Sequence, residues 1–299
     1  MSGMSTPSTA PSSTPTLPDA LRLGAAHLTV TDLDRSVAWY QDVAGLRQHG
    51  RDGAVARLGA GGEDVLVLHE QPGARPAGRH AGLFHVALLY PSRLELSRTT
   101  RRLAANRLPL TGASDHGVSE ALYLRDPDGN GIELYADRPR SAWPAPTEAG
   151  QQVGMYTRAL DVEDLLRVSD GEDVRRHAAE GLAVGHLHLH VGRVPQAVAF
   201  YRDLVGFAEV TTYPGASFLS AGGYHHHLAV NVWAGEGVGP APADAVGLRE
   251  WSAVLPDDAA VGAVRARLEA AGVAVADEGA AGVVLRDPWD IALRLVTAR

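Results

Sequence analysis

The sequence predicts an α+β protein made of four strand–helix–strand–strand–strand units whose sheets pair into two cups. Three observations lead there. The chain repeats itself: shifted by 161 positions, 27–46 falls on 188–207, setting Leu28 on Leu189, Val30 on Val191, Tyr40 on Tyr201, Asp42 on Asp203 and Gly45 on Gly206. The same offset carries 60–62 onto 221–223 and 124–127 onto 285–288, and one offset shared by three separated blocks indicates a duplication. Each half then divides again, because an alternating strand-like segment followed by a helix-like stretch occurs twice in it. Finally, 299 residues with 45% hydrophobic and 21% charged content are ordinary for a soluble globular chain of about two domains.

The first unit spans about 22–72. Its strand includes His27 to Val30, and in 34–44 the residues Val37, Ala38, Tyr40 and Ala44 share one helical face. The second, about 81–137, opens on His85 to Leu89 and turns at Asp126-Pro127-Asp128-Gly129. The third, about 184–235, opens on His186 to Val191, and the fourth covers about 246–297. A single unit leaves a curved sheet with one apolar face open, and pairing two closes that face into a cup lined by inward side chains. We expect a disordered tail over 1–20, two units in an N-terminal domain over 21–137, a linker with one short helix over 138–183, and two units in a C-terminal domain over 184–299.

Composition removes several function classes. The absence of cysteine excludes disulfides, zinc fingers, iron–sulfur clusters and a thiol nucleophile. A net charge of −8 argues against a sequence-independent hold on nucleic acid or an anionic membrane. The Ser/Thr/Pro-rich start lacks the apolar core of a signal peptide, and no apolar run is long enough to span a bilayer, so a cytoplasmic protein is expected. Sheet edges left by paired units would be covered in a homo-oligomer. The 13 histidines stand out, since a metal here must be held by His, Asp and Glu.

The most specific string runs from His116 through Leu122-Tyr123 and Asp126-Pro127-Asp128-Gly129 to Glu133. A His, five residues, Leu-Tyr, two residues, Asp-Pro-x-Gly and then a Glu closely resembles the signature of extradiol ring-cleaving dioxygenases, of the vicinal oxygen chelate superfamily. The resemblance extends over about 22–297, and the blocks 112–120 and 220–227 bring it closest to the bacterial two-domain catechol 2,3-dioxygenases. It implies metal ligands at His85 and Glu133 in the second unit and at His186 in the third. It implies an acid–base histidine in Tyr224-His225-His226-His227, for which we favour His226 with His227 as the alternative. It further implies that His116 and Tyr123 hydrogen-bond the substrate oxygen. By strand period His188 also faces the cup, and His188 and His227 are candidate substrate-binding residues.

These assignments imply that the site is built across the halves. The first-unit residue matching His186 is Ala25, the fourth-unit residue matching Glu133 is Arg294, and the strand position matching His85 is Glu250. Arginine stays protonated and cannot ligate a divalent metal. Pairing of units two and three is therefore expected; pairing of one and two would leave His27 as the third ligand. Two imidazoles and one carboxylate on one face, with adjacent open positions, suit Fe(II) and an oxygenase, with Mn(II) an alternative. The substrates expected are a small aromatic diol and dioxygen. Rival readings are a glyoxalase-like isomerase and a metal-free protein that sequesters small aromatics. The remaining histidines, His27, His49, His69, His80 and His177, are expected to be structural or at the surface.

Overall fold

A computed structural model describes residues 16–147 and 150–298. The first unit comprises β1 (Arg22–Val30), α1 (Leu33–Val43), β2 (Arg47–Asp52), β3 (Val55–Gly59) and β4 (Asp64–Glu70). The second comprises β5 (Gly82–Leu89), α2 (Arg93–Ala105), β6 (Gly112–Asp115), β7 (Ser119–Arg125) and β8 (Gly131–Asp137). The connector adds β9 (Arg158–Ala159) and α3 (Val162–Arg167). The third unit has β10 (Ala183–His190), α4 (Val194–Val198, continuing as a π-helix over Ala199–Val205), β11 (Ala208–Tyr213), β12 (Ala216–Ser220) and β13 (Leu228–Asn231). The fourth has β14 (Gly247–Leu255), α5 (Asp258–Ala270), β15 (Val275–Asp277), β16 (Val283–Arg286) and β17 (Ala292–Thr297).

Two sheets result, and each draws on both halves of the chain. One runs β15-β16-β17-β14-β1-β4-β3-β2 and the other β11-β12-β13-β10-β5-β8-β7-β6-β9. The seam of the second is the antiparallel pair β10–β5, which sets His188 opposite His85 and His186 opposite Ala87. The second and third units thus share a sheet, as the positions of Ala25 and Arg294 led us to expect.

Strand alternation sorts the side chains of this sheet. Val86, Leu88, Leu122, Leu124, Ile132, Leu134, Leu187 and Leu189 belong to the large apolar core. The residues between them, Ala87, Ala121, Tyr123 and Tyr135, form a separate small cluster on the opposite face. Helices α1, α2 and α5 start at capped ends: Asp32, Ser92 and Asp257 accept the backbone N–H three residues on, which satisfies one of the otherwise unpaired donors of each first turn.

The repeated Tyr and Asp-Pro residues do more than turn the chain. The Tyr40 hydroxyl of α1 donates to Asp126 Oδ2 (2.9 Å), while Asp126 Oδ1 accepts the N–H of Asp128 and of Asn130. Tyr201, Asp287, Trp289 and Ile291 repeat the arrangement in the second half. The pair ties the helix of one unit to the last turn of the next, which explains why both residues stand in both halves.

The expected tail needs correction at its end. Residues 1–15 lie outside the described part, but Leu17 is buried in the core and its N–H donates to the Gly206 carbonyl (2.7 Å). An apolar side chain between two prolines is enough to anchor this stretch. In the connector, α3 falls where a short helix was expected. Arg98 pairs with Glu172 and Arg101 with Asp170, holding the connector along α2.

Candidate metal centre and active-site cavity

The cup of the nine-stranded sheet holds a cavity of about 510 Å³. Its floor is one row across four strands. Tyr123 pairs with Glu133, Glu133 with Ala87, and Ala87 with His186. The small Ala87 at the centre leaves room above it for the three larger side chains to lean together. His85 and His188 form the next row on the same face.

Two bulges adjust this register. On β10 the extra residue is Gly185, where an added Cβ would stand 1.7 Å from the Tyr135 hydroxyl, so only glycine admits the close approach beside His186. On β5 the extra residue is Phe84, so both Phe84 and His85 line the cavity although they are neighbours in sequence. Gly131 makes room for that bulge, since a Cβ there would lie 2.0 Å from the Phe84 carbonyl oxygen.

His85, Glu133 and His186 are buried, and one ligand atom from each lies within 4.8 Å of the others. His85 Nε2 stands 3.0 Å and His186 Nε2 3.1 Å from the same oxygen, Glu133 Oε2. The His85 contact lacks hydrogen-bond alignment, leaving Nε2 buried without a hydrogen-bond partner. A buried imidazole nitrogen left beside a carboxylate without a hydrogen bond is costly, and a shared cation would offset that cost. Ligands about 2.1 Å from one ion and at right angles stand about 3.0 Å apart, so the donors fit a divalent metal. Burial pulls the His186 pKa down to about 4 against the opposing pull of Glu133. Burial pushes Glu133 up, but the two imidazoles outweigh it and hold the carboxyl well below its usual range. At neutral pH His186 is therefore uncharged and Glu133 ionised, the forms that ligate.

The other predicted residues surround this floor. His116 Nε2 is 2.7 Å from the Tyr123 hydroxyl, and both line the cavity. His116 Nδ1 is 3.0 Å from the carbonyl oxygen of Tyr156, in the connector. Burial raises the Tyr123 pKa well above its ordinary value, and Glu133 adds to this, so the hydroxyl keeps its proton. His188 lines the cavity with its Nε2 buried and unpartnered. His226 also lines it, its ring 4.1 Å from that of His186.

His227 does not line this cavity. Its Nδ1 accepts the Ala221 N–H (3.2 Å) and its ring lies tilted against that of Tyr224 (4.9 Å). The run 225–227 lies in an irregular turn before β13, and its three rings diverge. His227 instead bears on stability. Burial, with smaller pushes from neighbouring imidazoles, lowers its pKa to about 3. In the unfolded chain it protonates near pH 6.5, so its contribution is complete above that pH. As pH falls further only the unfolded chain takes the proton, and stability drops by about 1.4 kcal/mol per pH unit until the folded pKa is reached. His227→Asn, which keeps an acceptor for Ala221, should reduce the acid slope of urea-unfolding stability by that amount. An unaltered slope would refute the assignment.

Several contributors were not anticipated. Phe84, Phe218, Tyr213 and Trp233 form an aromatic wall, with Trp233 54% exposed at the mouth. Met155, Tyr156 and Thr157 of the connector close another side. Phe84 has the parity of the opposite face, and only its bulge brings it inside; the connector residues carry no periodic signal at all.

The remaining histidines lie elsewhere. His27 faces the other cup, its Nδ1 3.1 Å from His69 Nε2, so it does not join His85 and Glu133. His49 pairs with Asp64 and His190 with Asn231. In that second cup His27 stands opposite Glu250, as His188 stands opposite His85, so Glu250 occupies the place of His85. Glu250 and Arg294 form a two-pronged ion pair (2.6 and 2.9 Å), with Ala25 where His186 would stand.

The chain matches the glyoxalase/bleomycin resistance protein/dioxygenase superfamily over residues 22–134 and 183–294. It belongs to that superfamily. The two matched stretches are the two halves found by the internal repeat. Catechol-2,3-dioxygenase from Bacillus subtilis (strain 168) is 43% identical over 258 residues, covering 85% of this chain and 89% of that protein. The chain is a catechol-2,3-dioxygenase-like oxidoreductase. Among solved structures, a putative dioxygenase from Bacillus subtilis shares the fold at a TM-score of 0.63 and 15% identity, covering 92% of this chain and 84% of that one. Glyoxalase I from Zea mays shares it at 0.57 and 16%, covering 93% and 92%. Among the described residues no helix is long and apolar enough to cross a membrane.

Proposed function

We propose that this chain is an Fe(II)-dependent extradiol dioxygenase that inserts dioxygen into a catechol and releases a ring-opened, hydroxymuconic semialdehyde-type product. The observation that carries the proposal is the convergence of His85, Glu133 and His186 on one point at the floor of an aromatic-walled cavity, with His226, His116 and Tyr123 around it. Iron held there supplies a redox path between triplet dioxygen and the singlet ring, and one carboxylate among two imidazoles leaves its charge free to attract a catecholate.

The chain's own residues do the rest. His226 takes a proton from an incoming hydroxyl and returns it later, which suits an imidazole that is neutral at pH 7; burial, helped by the nearby imidazoles, holds its pKa well below the ordinary value. Tyr123, which donates to His116 Nε2 in this structure, keeps its proton and turns it to an incoming substrate oxygen. His188 offers its unpartnered Nε2 to the ring substituents or oxygens. Phe84, Phe218 and Trp233 keep water off the face of the ring.

The test is reconstitution. Protein stripped of metal, loaded anaerobically with Fe(II) and mixed with catechol and oxygen, should consume oxygen in step with the appearance of coloured ring-fission product. A parallel Mn(II) sample tests the choice of metal. Iron-loaded protein that consumes no oxygen with catechol or any simple substituted catechol would overturn the proposal.

A further inference from the structure

Among the histidines that line the cavity, His226 is set apart by a hydrogen bond to a histidine behind it, His225. His225 is fully buried between Tyr224, whose ring is 4.1 Å away, and Trp143, 5.4 Å away in an edge-on contact. Its Nε2 is 2.9 Å from Asp137 Oδ1 and its Nδ1 is 2.8 Å from His226 Nδ1. Asp137 ends β8, on the same face as Glu133 and Tyr135 by strand alternation. The Tyr135 and Tyr224 hydroxyls, 2.8 Å apart, pack beside it.

This chain of contacts has one consistent proton arrangement with neutral imidazoles. A carboxylate can only accept, so the proton between Asp137 and His225 belongs to His225 Nε2. With one proton on each ring, His225 Nδ1 accepts and His226 donates through its own Nδ1. That leaves His226 Nε2 without a proton, on a ring that lines the cavity. His116 differs: the Tyr156 carbonyl takes its Nδ1 proton and the Tyr123 hydroxyl fills its Nε2, so both nitrogens are engaged.

We propose that Asp137 and His225 are positioning residues that fix His226 in the tautomer with a bare Nε2 toward the cavity. The pair thereby determines which histidine receives the substrate proton. This rests on reading the cavity as a dioxygenase site, but the tautomer can be measured without that reaction. The Asp137–His225 contact also holds the ring plane of His226 through a buried neighbour, which water could not do.

The experiment uses full-length, metal-free protein labelled with 15N in histidine. Long-range 1H–15N correlation at neutral pH reports the protonated nitrogen of each ring, with His226 assigned by the signals missing from His226→Asn. Native His226 should carry its proton on Nδ1 and His225 on Nε2. In Asp137→Ala and in His225→Phe, which keeps the aromatic volume, His226 should shift toward the Nε2–H form favoured by free imidazole. In iron-loaded enzyme, Asp137→Ala should lower kcat by about 10- to 100-fold while iron content and KM change little. A native His226 protonated on Nε2 would overturn the proposal, as would an unchanged tautomer in both variants or an unchanged kcat. If native iron enzyme consumes no oxygen, the dioxygenase reading fails, while the tautomer is still decided by the spectrum.

Discussion

Glu133→Ala and His186→Ala proteins, stripped and reloaded anaerobically with Fe(II), should retain no more iron than background, whereas His27→Ala should retain as much as the native chain. The expected loss for a direct ligand exceeds the roughly 10- to 100-fold cost of removing a group that only supports a ligand. The contrast among the three variants is informative because His186 and His27 sit on matching strands, β10 and β1, of the two halves. His186 Nε2 lies 3.1 Å from Glu133 Oε2, while His27 contacts His69 in the other cup. Metal analysis after gel filtration, with circular dichroism to confirm folding, reads the result. Iron retained by His186→Ala and lost by His27→Ala would mean that the triad is wrongly assigned.

The second large effect is expected at His226. His226→Asn should keep its iron and lose about 10²- to 10⁴-fold in kcat, the usual scale for removing a general acid–base group. His227→Asn should leave kcat close to native, because its ring faces Ala221 and Tyr224 rather than the cavity. Steady-state oxygen uptake with catechol measures both. If the two variants lose equally, His226 and His227 do not differ in role; if only His227→Asn loses activity, the proton passes through the other ring.

Much of this site was legible in the sequence for definite physical reasons. Tyr123 and Glu133 lie on adjacent strands joined by a tight turn, and His116 lies in the short turn that leads into the first of them, so sequence spacing converts directly into distance. His85 and His186 open matching strands of their units, and the unsuitable residues at the matching places of the other units, Ala25 and Arg294, indicated which units share a sheet. What was not legible depends on irregular backbone. Three consecutive histidines before β13 follow no period, so nothing in their order says that His226 turns inward, His225 reaches Asp137 and His227 turns away. Phe84 reaches the cavity through a bulge, against its parity. Tyr156 acts through its carbonyl oxygen, which carries no trace of residue type. Leu17 is one apolar residue in a Ser/Thr/Pro-rich stretch, too little for composition to register.

The pairing of units across the halves has a consequence for how such a chain could arise. A half-length ancestor with two units could form the same two sheets only as a symmetric dimer, each subunit lending its first unit to the other's second. Its two cups would have been identical, each completed by a residue from the opposite subunit. Fusion removed that symmetry requirement. Once the two copies were encoded separately, one cup could change without altering the other, and Ala25, Glu250 and Arg294 show the result: an ion pair where the opposite cup brings His85, Glu133 and His186 together. The eight-stranded sheet then persists as the scaffold that joins the same two halves.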